Sequence, residues 1–365
     1  MKKKTLSLIM SATILAAIAT GCGKPAATEV TPDTSVEETP ATTDAAETPE
    51  TTEAATGQNT EEQDENAVSS ENEDTIMDRN GNMITLPEKT ETIVSMSPST
   101  TQILIDFGLG DSIKAVDTYS AMSFSDELPA DILQFDMMEP DTESLIALAP
   151  DIVFTTGMSK AHGEDVFASV RNAGVCVADI KSSESFDDIK KDIEFIGYCT
   201  GKADEAAKIN EEFQQGLDEI KASAEKIPEE EKKTILFELS TPTSDYPTIY
   251  TAGTGTYMDE AINLIGAENA SGDQASWVSL SEEDAIAKNP DVIISTDTYT
   301  PDVVNTLVSL SGWENVDAVK NDQVYLLSLS DEINRPNQHV LSAMLEMARD
   351  TYPGYFDSIT DPYAE

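Results

Sequence analysis

Residues 143–156 read ESLIALAPDIVFTT, and residues 283–296 read EDAIAKNPDVIIST. Each copy sets an acid (Glu143, Glu283), an Ile-Ala pair, Pro-Asp and an apolar run ending in Thr in the same order. The pattern is a helix turn stopped by proline, followed by a strand that is apolar at nearly every position. Such a strand is covered on both faces, as in a parallel sheet flanked by helices. Solenoid periods run roughly 20–50 residues, and this repeat is far longer. Two similar α/β lobes satisfy it.

The surrounding order is repeated too. TIVSMSPSTTQILIDFGLG runs strand, polar loop, helix, with β-branched Ile93 and Val94, capping hydroxyls in Ser97-Pro98-Ser99-Thr100 and closure at Gly108 and Gly110. IKAVDTYS, the first repeat copy and VRNAGVCVADI add further strands. In the second half KTILFELS predicts a strand, TGTYMDEAINLIGAENA a loop and a helix closed by Gly266, and QVYLLS a last strand. Between them, Phe186, Ile189, Ile193 and Ile196 keep helical spacing. After Thr200-Gly201, so do Ala206, Ile209, Phe213, Leu217 and Ile220. The second of these helices spans about 25 residues, roughly 37 Å, enough to bridge two lobes. Lobes joined by one stiff helix hinge only slightly.

The chain opens MKKKTLSLIMSATILAAIATGC. Its basic start and apolar stretch are too short to span a bilayer, which takes about 20 apolar residues, and predict a secretory signal over 1–21. Ala19-Thr20-Gly21-Cys22 resembles a bacterial lipobox, with Ala19 where Leu is usual, so Cys22 is the expected lipidation site. The competing reading is an ordinary signal peptide with an incidental cysteine. Residues 24–75 carry no aromatic residue and many Glu, Asp, Thr and Pro, a composition that stays disordered and suits a tether. The expected organisation is signal 1–21, anchored acidic linker 22–78, lobes at 83–182 and 232–365, and a helical linker 183–228.

A formal net charge of −47, spread over tether and lobes, argues against a nucleic-acid partner, which needs Lys and Arg. HExxH, GxSxG, P-loop and CxxC patterns are missing from the sequence, and only two histidines occur. No catalytic residue, metal site or cofactor is expected, and an enzyme is disfavoured. The glycines of TAGTGTYMDE read as the loop before a lobe helix rather than a phosphate cradle. A free metal-ion binder would need more histidines. Cys176 and Cys199 read as buried thiols rather than a disulfide.

IVSMSPSTTQILIDFGLGDSIKAVDTYS, both repeat copies, GWENVDAVKNDQVYLLS and NRPNQHVLSAMLEMA together resemble the helical-linker class of ABC-importer substrate-binding proteins for ferric siderophores, haem and cobalamin, over roughly 83–352. The resemblance implies two α/β lobes, each around a mainly parallel sheet flanked by helices, bridged by one long interlobe helix, with ligand between them. It implies a monomer that delivers ligand to an ABC permease and ATPase. Members of that family dock through one surface glutamate per lobe, matching Glu143 and Glu283, each seven residues before its proline. The alternative is that both are ordinary first-turn helix acids.

Ligands of open α/β sheets sit outside the carboxyl ends of strands. The loops there predict contacts from Ser97, Thr100, Tyr119, Met158, Tyr250, Tyr257, Trp277, Arg335 and Asn337. Tyr119 and Trp277 lead, because cobalamin-binding relatives have aromatics at or beside the matching places, and flat amphipathic rings suit a large ring or chelate. Met137 stands where some of these relatives have an aromatic, which weakens the cobalamin case. Only Arg335 and Lys160 supply cations in these loops, so a neutral ferric hydroxamate or a corrinoid fits better than a trianionic catecholate. Haem, with His162 or His339 as axial ligand, is an alternative. A surface receptor that captures or senses ligand without transport is another.

Overall fold

The computed structural model describes residues 74–157, 163–243 and 246–364. Cys22, the signal-like and acidic segments before residue 74, Met158, Lys160 and His162 lie outside the described residues. The first lobe begins earlier than expected. β1 (Thr75–Met77) and β2 (Met83–Thr85) form an antiparallel hairpin, correcting both the linker end at 78 and the lobe start at 83. The cause is local. Buried Asp78 accepts from the backbone N–H of Asn80 and Asn82 at 3.0 and 2.8 Å, from Asn82 Nδ2 at 2.9 Å, and from the N–H of Asp179 at 3.0 Å. One carboxylate thus shapes the Asn80-Gly81 turn and ties it to the sheet.

That sheet is parallel, in the order β5-β4-β3-β6-β7. Its strands are β3 (Ile93–Ser95), β4 (Ile113–Asp117), β5 (Leu133–Phe135), β6 (Ile152–Thr156) and β7 (Cys176–Ile180). α1 (Pro98–Asp106), α2 (Thr118–Ser123), α3 (Thr142–Ala147) and α4 (Ala168–Asn172) connect them. The order reverses between β3 and β6, the switch point at which a crevice opens in folds of this type.

α5 (Phe186–Thr200) and α6 (Ala203–Ala224) follow, turned about Gly201 in the left-handed conformation at φ 68°. Every apolar position expected on these two helices is buried. α6 has 22 residues, about 33 Å. Its Phe213, Leu217 and Ile220 belong to one apolar cluster with Ile93 of the first lobe and Ile235 of the second.

In the second lobe β8 (Thr234–Glu238), β10 (Glu268–Asn269), β12 (Val292–Ser295) and β13 (Val324–Leu326) form a parallel sheet ordered β10-β8-β12-β13. β9 (Thr248–Ala252) and β11 (Trp277–Ser281) pair antiparallel beside it. The helices are α7 (Tyr257–Leu264), α8 (Glu282–Lys288), α9 (Val303–Val308), α10 (Asp317–Lys320), α11 (Ser330–Asn334) and α12 (Val340–Thr351). Among the described residues no helix is long and apolar enough to cross a membrane.

The two repeat copies fold alike. Leu145 and Ala285 are buried, and so are Pro150 and Pro290, while Glu143 and Glu283 are exposed. Ala149 and Asn289 both turn left-handed, at φ 49° and 44°. Asp151 accepts from the N–H groups of Glu91 and Thr92 at 2.8 Å, and Asp291 from that of Thr234 at 2.9 Å. In each lobe the Pro-Asp aspartate therefore secures the chain entering the neighbouring strand. Asp78→Ala strands three backbone donors in and around the β1–β2 turn, while Asn82 Nδ2 keeps its bond to Asp179, so it should lower unfolding free energy by about 3 kcal/mol in urea titration.

Candidate functional site

A cleft of about 310 Å³ opens at the carboxyl ends of β3, β6 and β7, within the range of ligand pockets. Ser97, Ser99 and Thr100 line it from the start of α1, Thr155 and Thr156 from the end of β6, and Met137 from beyond β5. Facing them from the second lobe are Tyr257, Trp277 and Arg335. Five of the expected contacts, Ser97, Thr100, Tyr257, Trp277 and Arg335, therefore converge.

Pro98 begins α1, and its first turn holds no acid. The N–H groups of Ser99 and Thr100 are first-turn donors without an intrahelical partner, and with the helix dipole they favour an acceptor or a negatively polarised group. Beneath them, Thr101 Oγ1 lies 2.8 Å from Ser95 Oγ and 2.9 Å from Ser120 Oγ, and Ser120 donates to Asp117. Burial pushes the Asp117 carboxyl above its ordinary range, although the hydrogen bonds from Ser120 and the N–H of Tyr119 oppose it.

The opposite wall is aromatic. Trp277 stacks on Tyr250 at 6.2 Å between centroids and meets the edge of Tyr257 at 6.0 Å. Tyr257 is buried, with its hydroxyl donating to Ile333 O at 3.0 Å, so it presents ring surface only. Tyr250 is 43% exposed and extends this wall outside the lining residues. Gly253 explains the glycine loop that precedes α7. A β-carbon there would lie 2.4 Å from Gln274 O and 2.9 Å from Ser276 O, because Gly253 N donates to Ser276 O and Thr254 N to Gln274 O.

Two cations reach the cleft among the described residues, and both are engaged. Lys181 lies 3.1 Å from Asp188. Arg335 contacts Asp331 at 2.5 Å, donates to Ser123 Oγ at 2.6 Å and sits 5.2 Å over the Phe124 ring, linking the second lobe to the first. Asp192, at the cleft edge, pairs with Arg79 at 2.5 Å and accepts from Ser183 Oγ at 2.7 Å. Burial still raises its pKa against the pull of Arg79.

Other expected residues lie elsewhere. Asn337 is 1% exposed, is not part of the lining, and accepts from the N–H of His339 at 2.8 Å. In this structure it shapes the local turn before α12. Tyr119 is exposed on α2 outside the lining residues. His339 lies 2.8 Å from Asp106 Oδ2 and packs on Tyr363, away from the cleft. No group of three or more His, Cys, Asp or Glu among the described residues could hold a metal ion. Cys176 and Cys199 are free thiols, and burial pushes Cys176 up to about 11. The residues not foreseen are Lys181, Ser182 and Ser183 after β7, and Asp192 on α5. The first three follow from the carboxyl-end rule applied to the strand in VRNAGVCVADI. Asp192 carries no such signal.

The sequence model of a family described as periplasmic binding protein matches residues 93–329. The chain belongs to this family. An uncharacterized ABC transporter substrate-binding lipoprotein of Bacillus subtilis, YvrC, is 30% identical over 285 residues, 77% of this chain and 86% of that protein. A vitamin B12-binding protein of Vibrio cholerae is 24% identical over 72% of this chain and 89% of its own length. The crystal structure of a possible iron-binding (periplasmic solute-binding) protein from Staphylococcus epidermidis superposes with a TM-score of 0.63 at 29% identity, covering 73% of this chain and all of that one. The matched periplasmic binding proteins are substrate-binding proteins, not enzymes, as expected from the sequence.

Gly253→Ala should cost about 1–3 kcal/mol of stability by overpacking. Because it pushes the backbone before Trp277 outward, tryptophan emission of the folded variant should shift to the red.

Proposed function

We propose that this periplasmic binding protein is an extracytoplasmic lipoprotein, lipidated at Cys22, that captures a neutral metal chelate or corrinoid between its lobes and delivers it to the permease and ATPase of an ABC importer. One observation carries this reading: the Trp277 wall faces the α1 N-terminus across a cleft whose described cations are already paired. Flat apolar surface on one side and backbone donors on the other suit a ring or chelate that brings its own acceptors. A trianionic chelate would require cations freed from Asp188 and Asp331. A corrinoid would exceed the cleft volume, so it would project from the mouth or part the lobes.

The chain has two tryptophans. Trp313 is buried in the second lobe, and Trp277 lines the cleft. Fluorescence titration with cobalamin, cobinamide, a hydroxamate chelate, a catecholate chelate and haem should show quenching by a neutral chelate or corrinoid below micromolar concentration. Trp277→Leu should abolish most of that quenching. Tight response to free Fe³⁺ or Zn²⁺, with none to chelates, would overturn the proposal, and preferential haem binding would select the haem alternative.

Docking at Glu143 and Glu283 draws support from their geometry. Both are exposed second residues of equivalent helices, and neither carboxylate has a hydrogen-bond or ion-pair partner among the described residues. Twin acids suit a membrane partner with two-fold symmetry, and rim charges set register and encounter more than affinity. The double variant Glu143→Ala, Glu283→Ala should bind ligand like the parent yet lose most uptake in cells. Loss of ligand binding or unchanged uptake would reject the assignment, and uptake that is the same with and without the parent protein would point to a receptor that does not feed a permease.

A further inference from the structure

The twin lobes differ at one buried position. Aligning the copies on Pro150 and Pro290 places Ser295 on Thr155. Ser295 pairs with Glu238 across β12 and β8. In the first lobe Phe154 pairs with Ser95, so Thr155 stands opposite Met96. Glu238 thus occupies the register position of Met96. Both side chains are fully buried. The fold accepts an apolar side chain here, so packing does not explain a carboxylate.

The surroundings do not satisfy it. Neither Glu238 oxygen has a hydrogen-bond partner among the described residues, and neither does the buried Thr241 Oγ1. Ser295, paired with Glu238 across the strands, and Thr241 bring hydroxyls beside the carboxyl, and burial raises its pKa against their pull. Thr296, whose N–H donates to Glu238 O at 2.9 Å, adds another buried hydroxyl without a partner among the described residues. The nearby acid, Asp297, is fully used. It accepts from the N–H groups of Thr241, Tyr299 and Thr300 and from Thr300 Oγ1. No cation pairs with Glu238 among the described residues. A buried ionised carboxylate left alone costs far more than a fold can spare.

We propose that Glu238, with the hydroxyls of Thr241 and Ser295, forms an interior site for a monovalent cation of sodium type at the carboxyl end of the second lobe's sheet. The donors are all oxygen, which selects a hard ion and disfavours the transition metals. Only one carboxylate is left to coordinate, since the Asp297 oxygens already accept four hydrogen bonds, and one carboxylate with neutral hydroxyls falls short of the roughly six to eight oxygens that calcium takes. Water alone would supply hydrogen bonds and leave the charge uncompensated. The site stands on the register mirror of the cleft-lining end of β6, beneath the loops that leave β8 and β12, and it is separate from the ligand cleft, whose lining it does not share.

The test is thermal unfolding of the full chain in sodium chloride replaced stepwise by choline chloride at constant ionic strength and neutral pH. Sodium should raise Tm saturably by roughly 5 °C. Glu238→Met, which restores the first lobe's own residue, and Glu238→Gln should both remove the dependence while remaining folded by circular dichroism. ²³Na relaxation should show bound sodium in the parent and none in Glu238→Met. A Tm indifferent to sodium in the parent, or an equal rise in the parent and both variants, overturns the proposal. In that case a Tm that falls as pH rises in the parent alone would assign the compensating charge to a proton on Glu238. If one variant fails to fold, the other and the relaxation measurement on the parent still decide.

Discussion

Everything in this molecule depends on the apolar face of α6. Phe213, Leu217 and Ile220 join a core that contains Ile93 under one sheet and Ile235 under the other, so the lobes share an interior. Rotating one lobe against the other would expose part of that core, at about 25 cal/mol for each Å² of apolar surface uncovered. Polar contacts reinforce the same geometry. Glu260 accepts from the N–H of Phe186 at 2.7 Å, Gln338 donates to Asp106, and Arg335 reaches Ser123. Both walls of the cleft are thus positioned against one shared core.

The duplication shows which residues the frame requires and which it leaves free. Pro150 and Pro290 end their helices, and Asp151 and Asp291 anchor neighbouring chain segments through backbone N–H groups. These residues have structural work to do in both lobes. Glu143 and Glu283 sit in the first turns of their helices and make no hydrogen bond or ion pair among the described residues, yet both copies carry them. At Met96 and Glu238 the copies diverge in the interior itself.

Much of the architecture was legible in the residues. The apolar spacing of α5 and α6, the strands after each Pro-Asp and the helix closures at Gly108 and Gly266 all follow from local patterns. The early hairpin was not, because β1 and β2 are three residues each and adjoin a strongly acidic segment that dominates the composition. Its only sequence signal was Asn80-Gly81, a turn dipeptide, and the deciding contact, Asp78 to Asp179, is distant in sequence. Ser97 and Thr100 could be placed from the carboxyl-end rule and Trp277 from the resemblance, whereas Asn337 could not, since its burial depends on how the chain turns into α12. Asp192 entered the cleft edge from a helix face that looked merely amphipathic.

Arg335 makes one hydrogen bond to the opposite lobe and rests on one aromatic ring there. Such a latch is worth on the order of 1–3 kcal/mol, little beside the apolar core that the lobes share. A guest that recruits Arg335 must first take it from Ser123 and Asp331, so part of its binding energy goes into exchanging one partner for another.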